Sequence, residues 1–167
     1  PVVLQHGLID SAVTWVANAH ASQNLGTMLH AISDGAAYDV WMPNSRGNHY
    51  SMANKNYPTD ASRDTAFWQS IDMDLMAKHD LPAVIDYVLN ATSRSTLSWV
   101  GHSQGTWQAF SAFSTLHPSY ADKVDIFVAL APVAYVGHST SLLLKVIAGL
   151  DTAQIIELLG VKEFLVN

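Results

Sequence analysis

The chain has 167 residues, enough for one domain with a real core, and its composition is 49% apolar and only 13% charged, against about 25% charged in an average domain. The net charge of −6 and the lack of a basic run speak against a nucleic-acid partner, no apolar stretch has the length of a membrane span, and the absence of cysteine excludes disulfides and a thiol nucleophile. So much core for so little charged surface suits the buried central piece of a larger protein.

The chain opens at Pro1 directly in a strand-like run, with no signal peptide in view. Four short apolar runs read as buried strands: PVVLQ (1–5), YDVWM (38–42), TLSWVG (96–101) and VDIFVALAP (124–132). Helical patterns separate them. Asn24 to Ala31 sets Leu25, Met28, Leu29 and Ile32 on one face, and Asp34-Gly35 is placed to end it. The segment 43–70 is polar, rich in Asn, Ser, Gly and Pro, and reads as a long loop region. Asp80 is a suitable N-cap for LPAVIDYVLN, with Pro82 in the first turn. Gln104 to Leu116 follows the third strand, and His117-Pro118 stops it. Strands alternating with helices predict βαβ units and a parallel sheet. The last stretch, 141–160, is apolar around much of a helix circumference and must be buried or meet lipid.

GHSQG (101–105) lies where the third strand becomes a helix. G-x-S-x-G in that setting is a nucleophile elbow. The turn forces the serine into a strained backbone, Gly101 and Gly105 remove the clashes a side chain would cause, and the helix N-terminus favours developing negative charge at the hydroxyl. Ser103 is therefore the candidate nucleophile. His102 follows from the motif as an elbow residue that packs beneath the turn. An oxyanion hole needs two donors: the N–H of Gln104, just after the nucleophile, and one from a loop after an earlier strand. His6-Gly7-Leu8, just after the first strand, offers Leu8. His117 ends the elbow helix, and Asp122 and Asp125 start the fourth strand at the edge opposite the nucleophile, so neither pairing makes a triad; His138 follows that strand and reads as a hinge or pocket-wall residue. The five tryptophans, Trp15, Trp41, Trp68, Trp99 and Trp107, read as core or pocket wall, and Arg46 as a loop tie. The histidines lack metal-ligand spacing, so no metal is expected, and no motif calls for a cofactor.

VVLQHGL, YDVWMPNSRGNHYS, MAKHDLPAVIDYVLNAT, WVGHSQGTWQAFSAFS, FVALAPVAYVGH and LLGVKEFL, taken in order, resemble the acid lipase family of α/β-hydrolases, the gastric and lysosomal acid lipases. NSRGN, HDLPA and the Gln of GHSQG make the resemblance more specific than the elbow alone. It implies an α/β-hydrolase core over 1–138 and the beginning of a cap or lid over 139–167. It implies a serine hydrolase of lipid esters, triacylglycerols or sterol esters, working at a lipid–water interface. Nucleophile Ser103 and oxyanion donors Leu8 and Gln104 carry over. Relatives also imply a secreted or lysosomal setting, which the sequon Asn90-Ala91-Thr92 fits as a glycosylation site. This sequence departs from the family in lacking cysteine, in bulky Trp107 and Gln108, and in extent. The triad acid and histidine of the family lie in a C-terminal part beyond this chain, and that part, or a partner chain, is expected to cover the sheet edges. Against the enzyme stands a non-catalytic α/β-hydrolase-like domain, kept as a binding or structural subunit.

Overall fold

The computed structural model describes residues 1–31, 37–52, 67 and 71–135. The expected helix end at Asp34-Gly35, Trp68, His138 and the apolar stretch 141–160 lie outside the described residues, as does all of 139–167. The described chain folds as a four-stranded sheet between layers of helix. The strands are β1 (Val2–Gln5), β2 (Val40–Trp41), β3 (Leu97–His102) and β4 (Val124–Leu130), in the order β2-β1-β3-β4, and every pairing is parallel. All four expected strands are present, and the parallel sheet with flanking helices is the expected α/β class.

Alternation along the strands sorts side chains into two cores. Val3, Leu97 and Trp99 face one way, toward Ala77, Leu81, Ile85, Val88, Ala109 and Ala112. Val2, Leu4 and Val100 face the other way and bury Trp15, with Leu25, Leu29, Val40 and Met42 packed around them. Each aliphatic side chain so buried contributes roughly 1.5–3 kcal/mol. The second layer includes α1 (Leu25–His30). Leu25 and Leu29 of α1 face the sheet as expected, but Met28 is 49% exposed, because the contact is made by its other face through Gly26. A β-carbon there would come within 3.1 Å of Met42 Sδ and of the Trp15 carbonyl oxygen. Asn24 at the helix start turns its side chain back to Asn18 and His20 rather than capping.

The first layer holds two longer helices. α2 runs without a break through Met73–Leu75, a π turn at Met76–Asp80, and Leu81–Thr92. The expected N-cap at Asp80 is corrected by this continuity. Asp80 has helical backbone and caps nothing, whereas Asp72 accepts from the N–H groups of Asp74 (2.6 Å) and Leu75 (3.1 Å). Pro82 is accordingly inside the helix and not in its first turn. Proline lacks the N–H that would reach Lys78 O. The π turn absorbs the ring, and His117 Nε2 donates to Lys78 O at 2.8 Å. α3 (Gln104–Ser111) ends in a π turn, Ala112–Leu116, and stops at His117 as expected, with a 3₁₀ turn at Pro118–Lys123 beyond it.

Candidate active site

Strand order decides where the site lies. From β1 the chain crosses to β2 on one side, while β3 and β4 extend the sheet on the other. The order reverses between β1 and β3, and a crevice opens outside the carboxyl ends of parallel strands at such a switch point. Gln5 pairs with Gly101, so His6-Gly7-Leu8 and His102-Ser103 leave the sheet side by side, from strands about 4.8 Å apart.

Ser103 sits at φ 50°, ψ −112°, a left-handed conformation unusual for a residue with a side chain, costing on the order of 1–3 kcal/mol. The surroundings hold it there. Ser103 N–H donates to Leu130 O on β4 (2.9 Å), and Ser103 O accepts from the N–H of Thr106 (2.9 Å) and Trp107 (3.4 Å). The two flanking glycines are required by close backbone approach. A β-carbon at Gly101 would lie 2.6 Å from Gly105 C and O, and one at Gly105 would lie 2.6 Å from Gln5 O. Trp99 lies beneath the elbow, its indole N–H donating to Gly105 O at 3.4 Å. His102 is half-buried, with its ring beside Gly7. A β-carbon on Gly7 would meet His102 Nδ1 at 3.0 Å and Ser103 Cβ at 3.2 Å. The His6-Gly7-Leu8 turn thus abuts the elbow, with Leu8 leading into Ile9, itself left-handed at φ 59°. Gln104 has its side chain buried, Nε2 donating to Met76 Sδ at 3.2 Å, which leaves its backbone N–H as the group it offers at the elbow. It is the first residue of α3, where N–H groups have no intrahelical partner.

His6 is the residue that sequence reading undervalued. It is 2% exposed. Its Nε2 accepts the Ser45 N–H at 3.0 Å, so Nδ1 carries the proton and donates to Gly7 O at 2.8 Å. Burial pushes its pKa below the ordinary histidine value, outweighing the Gly7 hydrogen bond and Asp10. A neutral imidazole therefore ties the turn after β1 to the loop after β2, joined by Gln5 Nε2 to Ser45 Oγ at 3.0 Å. Arg46, in the same loop, clamps Asp80 through Nε (3.0 and 2.8 Å) and Nη2 (2.5 Å), the expected loop tie. Of the other expectations, Trp15 and Trp99 are buried core, and Trp41 packs against the core. His117 ends the helical run 104–116, about 20 Å from Ser103 along its axis, and Asp125 lies near the N-terminal end of β4, opposite the elbow. Among the described residues no cluster of three or more His, Asp or Glu side chains could hold a metal, and no helix is long and apolar enough to cross a membrane.

The geometry matches what comparison with known proteins finds. A profile of the alpha/beta hydrolase fold matches residues 1–153. Gastric triacylglycerol lipase of Rattus norvegicus is 47% identical over 147 residues, which are 87% of this chain and 35% of that protein. The Homo sapiens gastric triacylglycerol lipase is 46% identical over 146 residues, 87% of this chain and 34% of that one. Lysosomal acid lipase/cholesteryl ester hydrolase of Homo sapiens is 45% identical over 166 residues, 99% of this chain and 39% of that one. The chain thus spans little more than a third of the length of the curated relatives it matches. With a parallel sheet, a strained serine between glycines at the switch point, and a profile match over nearly its whole length, this chain belongs to the alpha/beta hydrolase fold family.

Proposed function

We propose that the protein is a serine ester hydrolase acting on lipid esters, triacylglycerols or sterol esters, with this chain supplying nucleophile and oxyanion hole. The observation that carries the reading is Ser103, held left-handed between Gly101 and Gly105 and against Gly7. A domain that makes no use of such a serine has no need of its strain. The names of the relatives, triacylglycerol lipase and cholesteryl ester hydrolase, supply the substrate class.

In this mechanism Ser103 Oγ attacks the ester carbonyl as a base removes its proton, because the neutral hydroxyl is a weak nucleophile. Negative charge moves to the carbonyl oxygen of the tetrahedral intermediate, which the N–H groups of Leu8 and Gln104 receive; removing one such donor typically costs roughly 10²–10³ in kcat. Collapse expels the alcohol and leaves an acyl group on Ser103, which water then removes. The triad acid and histidine come from outside this chain. Residues 139–167 begin a cap over the acyl pocket, which works at a lipid–water interface. Asn90, exposed near the end of α2, carries a glycan in a secreted or lysosomal protein.

The test is a fluorophosphonate probe and a soluble ester, p-nitrophenyl butyrate, applied to the full-length protein. Ser103 is expected to be the labelled residue, and Ser103→Ala to lose both labelling and turnover, the latter by roughly 10³-fold or more. Turnover retained in Ser103→Ala would remove Ser103 as the nucleophile; a wild type neither labelled nor active would leave the non-catalytic binding domain as the reading of this elbow.

A further inference from the structure

We propose that Thr106 is a positioning residue for the oxyanion hole, its hydroxyl aiming the Gln104 N–H by gripping the other side of the same peptide unit; this rests on the ester-hydrolase reading above. Thr106 is 0% exposed. Its Oγ1 donates to Ser103 O at 2.6 Å and accepts the Val133 N–H at 2.9 Å. The roles are forced, since a carbonyl oxygen only accepts and an amide N–H only donates. A threonine bonding back to the carbonyl three residues before it is common at a helix start. The second bond is not local: Val133 lies 27 positions along the chain, in the turn after β4.

The consequence follows from peptide planarity. Ser103 C=O and Gln104 N–H belong to one planar trans unit and point in opposite directions. Whatever fixes the carbonyl therefore fixes the N–H. The Ser103 carbonyl takes three donors, the Thr106 hydroxyl and the N–H groups of Thr106 and Trp107, and the hydroxyl makes the shortest contact. Through it the unit is also tied to the turn that follows β4. That turn is itself strained, with Ala131 at φ 48°, and just before it Leu130 O at the end of β4 accepts the Ser103 N–H. Two positive-φ residues, neither of them glycine, Ser103 and Ala131, are thus joined by one backbone bond and one hydroxyl bridge. The bridge sets the orientation that neither turn would keep alone.

The test compares Thr106→Val, which keeps shape and removes the hydroxyl, with Thr106→Ser, which keeps the hydroxyl, in the full-length protein. In Thr106→Val, kcat for p-nitrophenyl butyrate is expected to fall about tenfold, equivalent to about 1.4 kcal/mol of transition-state stabilisation, with KM unchanged. A trifluoromethyl ketone, whose adduct on serine carries an oxyanion, is expected to bind more weakly by a similar factor. Thr106→Ser is expected to stay within about twofold of wild type in both. Should Thr106→Val not fold, Thr106→Ala carries the same expectation. Wild-type kcat in a variant without the hydroxyl overturns the proposal. So does a fall shared equally by the serine variant, or a fall in kcat with unchanged affinity for the ketone. A wild type that is neither labelled at Ser103 nor active removes the ester-hydrolase reading, and this proposal with it.

Discussion

β3 and β4 are neighbours in one parallel sheet, paired residue for residue from Ser98↔Ile126 to His102↔Leu130, and both are apolar. Their surroundings differ. On β3, Leu97, Trp99 and Val100 are buried, on alternate faces. Among the described residues only one face of β4 is packed: Phe127 meets Phe110 and Phe113 edge-to-face, at 5.1 and 6.1 Å between centroids. The other face presents Ile126 (57% exposed), Val128 (40%) and Leu130 (37%) to solvent. These residues continue the row of Ser98, Val100 and His102, but α1 lies at the far end of that row, over β1 and β2. A continuous apolar run is the pattern of a strand covered on both sides. The run in β4 therefore anticipates a cover that the described residues do not provide, while the elbow beside it is fully braced. The elbow half of the sheet is packed within the described residues; the β4 face is not.

The contrast can be broken most severely at the elbow. Gly101→Ala is expected to remove at least roughly 100-fold of the proposed ester hydrolysis by displacing Ser103, and to cost about 1–3 kcal/mol from overpacking against Gly105; activity and urea unfolding of the full-length protein measure both. A matched pair of strand substitutions sharpens it next. Val100→Ser is expected to cost about 2 kcal/mol wherever it is measured, because it places a hydroxyl in a packed core. Val128→Ser costs under about 0.5 kcal/mol if the β4 face meets water, and as much as Val100→Ser if a longer protein covers it. Equal and large losses in full-length protein would show the covered face; a loss confined to Val100 would show that β4 stays bare.

A smaller effect is expected where the loop after β2 is anchored. Arg46→Lys keeps the charge but loses the two-nitrogen grip on Asp80, and about 1 kcal/mol of stability is expected to go with it; a melt of Arg46→Lys at wild-type stability would mean that the clamp contributes nothing net. The smallest effect is one of pH. The folded-state pKa of His6 lies below the ordinary 6.5, so between those two values the unfolded chain binds more protons. The His6 contribution is fully present above about pH 6.5 and is lost as the pH falls toward the folded value. His6→Asn is expected to flatten this part of the stability profile between about pH 7 and pH 5. An unchanged slope would mean that His6 is not held neutral.

Four strands, the parallel class, the elbow and the turn that meets it are legible in the chain because each is written in adjacent residues: apolar runs of strand length, and glycines where a backbone has no room. The sequence also marked His117-Pro118 as a stop and Arg46 as a tie. What it misjudged depended on distant partners. Asp80 looks like an N-cap in LPAVIDYVLN until Arg46 takes its carboxylate and Asp72 starts the helix instead. Pro82 looks like a first-turn residue until the helix begins at Asp72 instead and the His117 ring satisfies the carbonyl that the proline leaves free. Met28 fits the apolar stripe of α1, but the closest approach runs through Gly26. His6 is held neutral by burial and in one tautomer only because Ser45, 39 positions on, donates to its ring, and Thr106 becomes a bridge only because Val133 arrives beside it. Local sterics and periodicity act between neighbours in the chain and can be read there. A hydrogen bond between residues tens of positions apart exists only once the sheet order has brought their loops together.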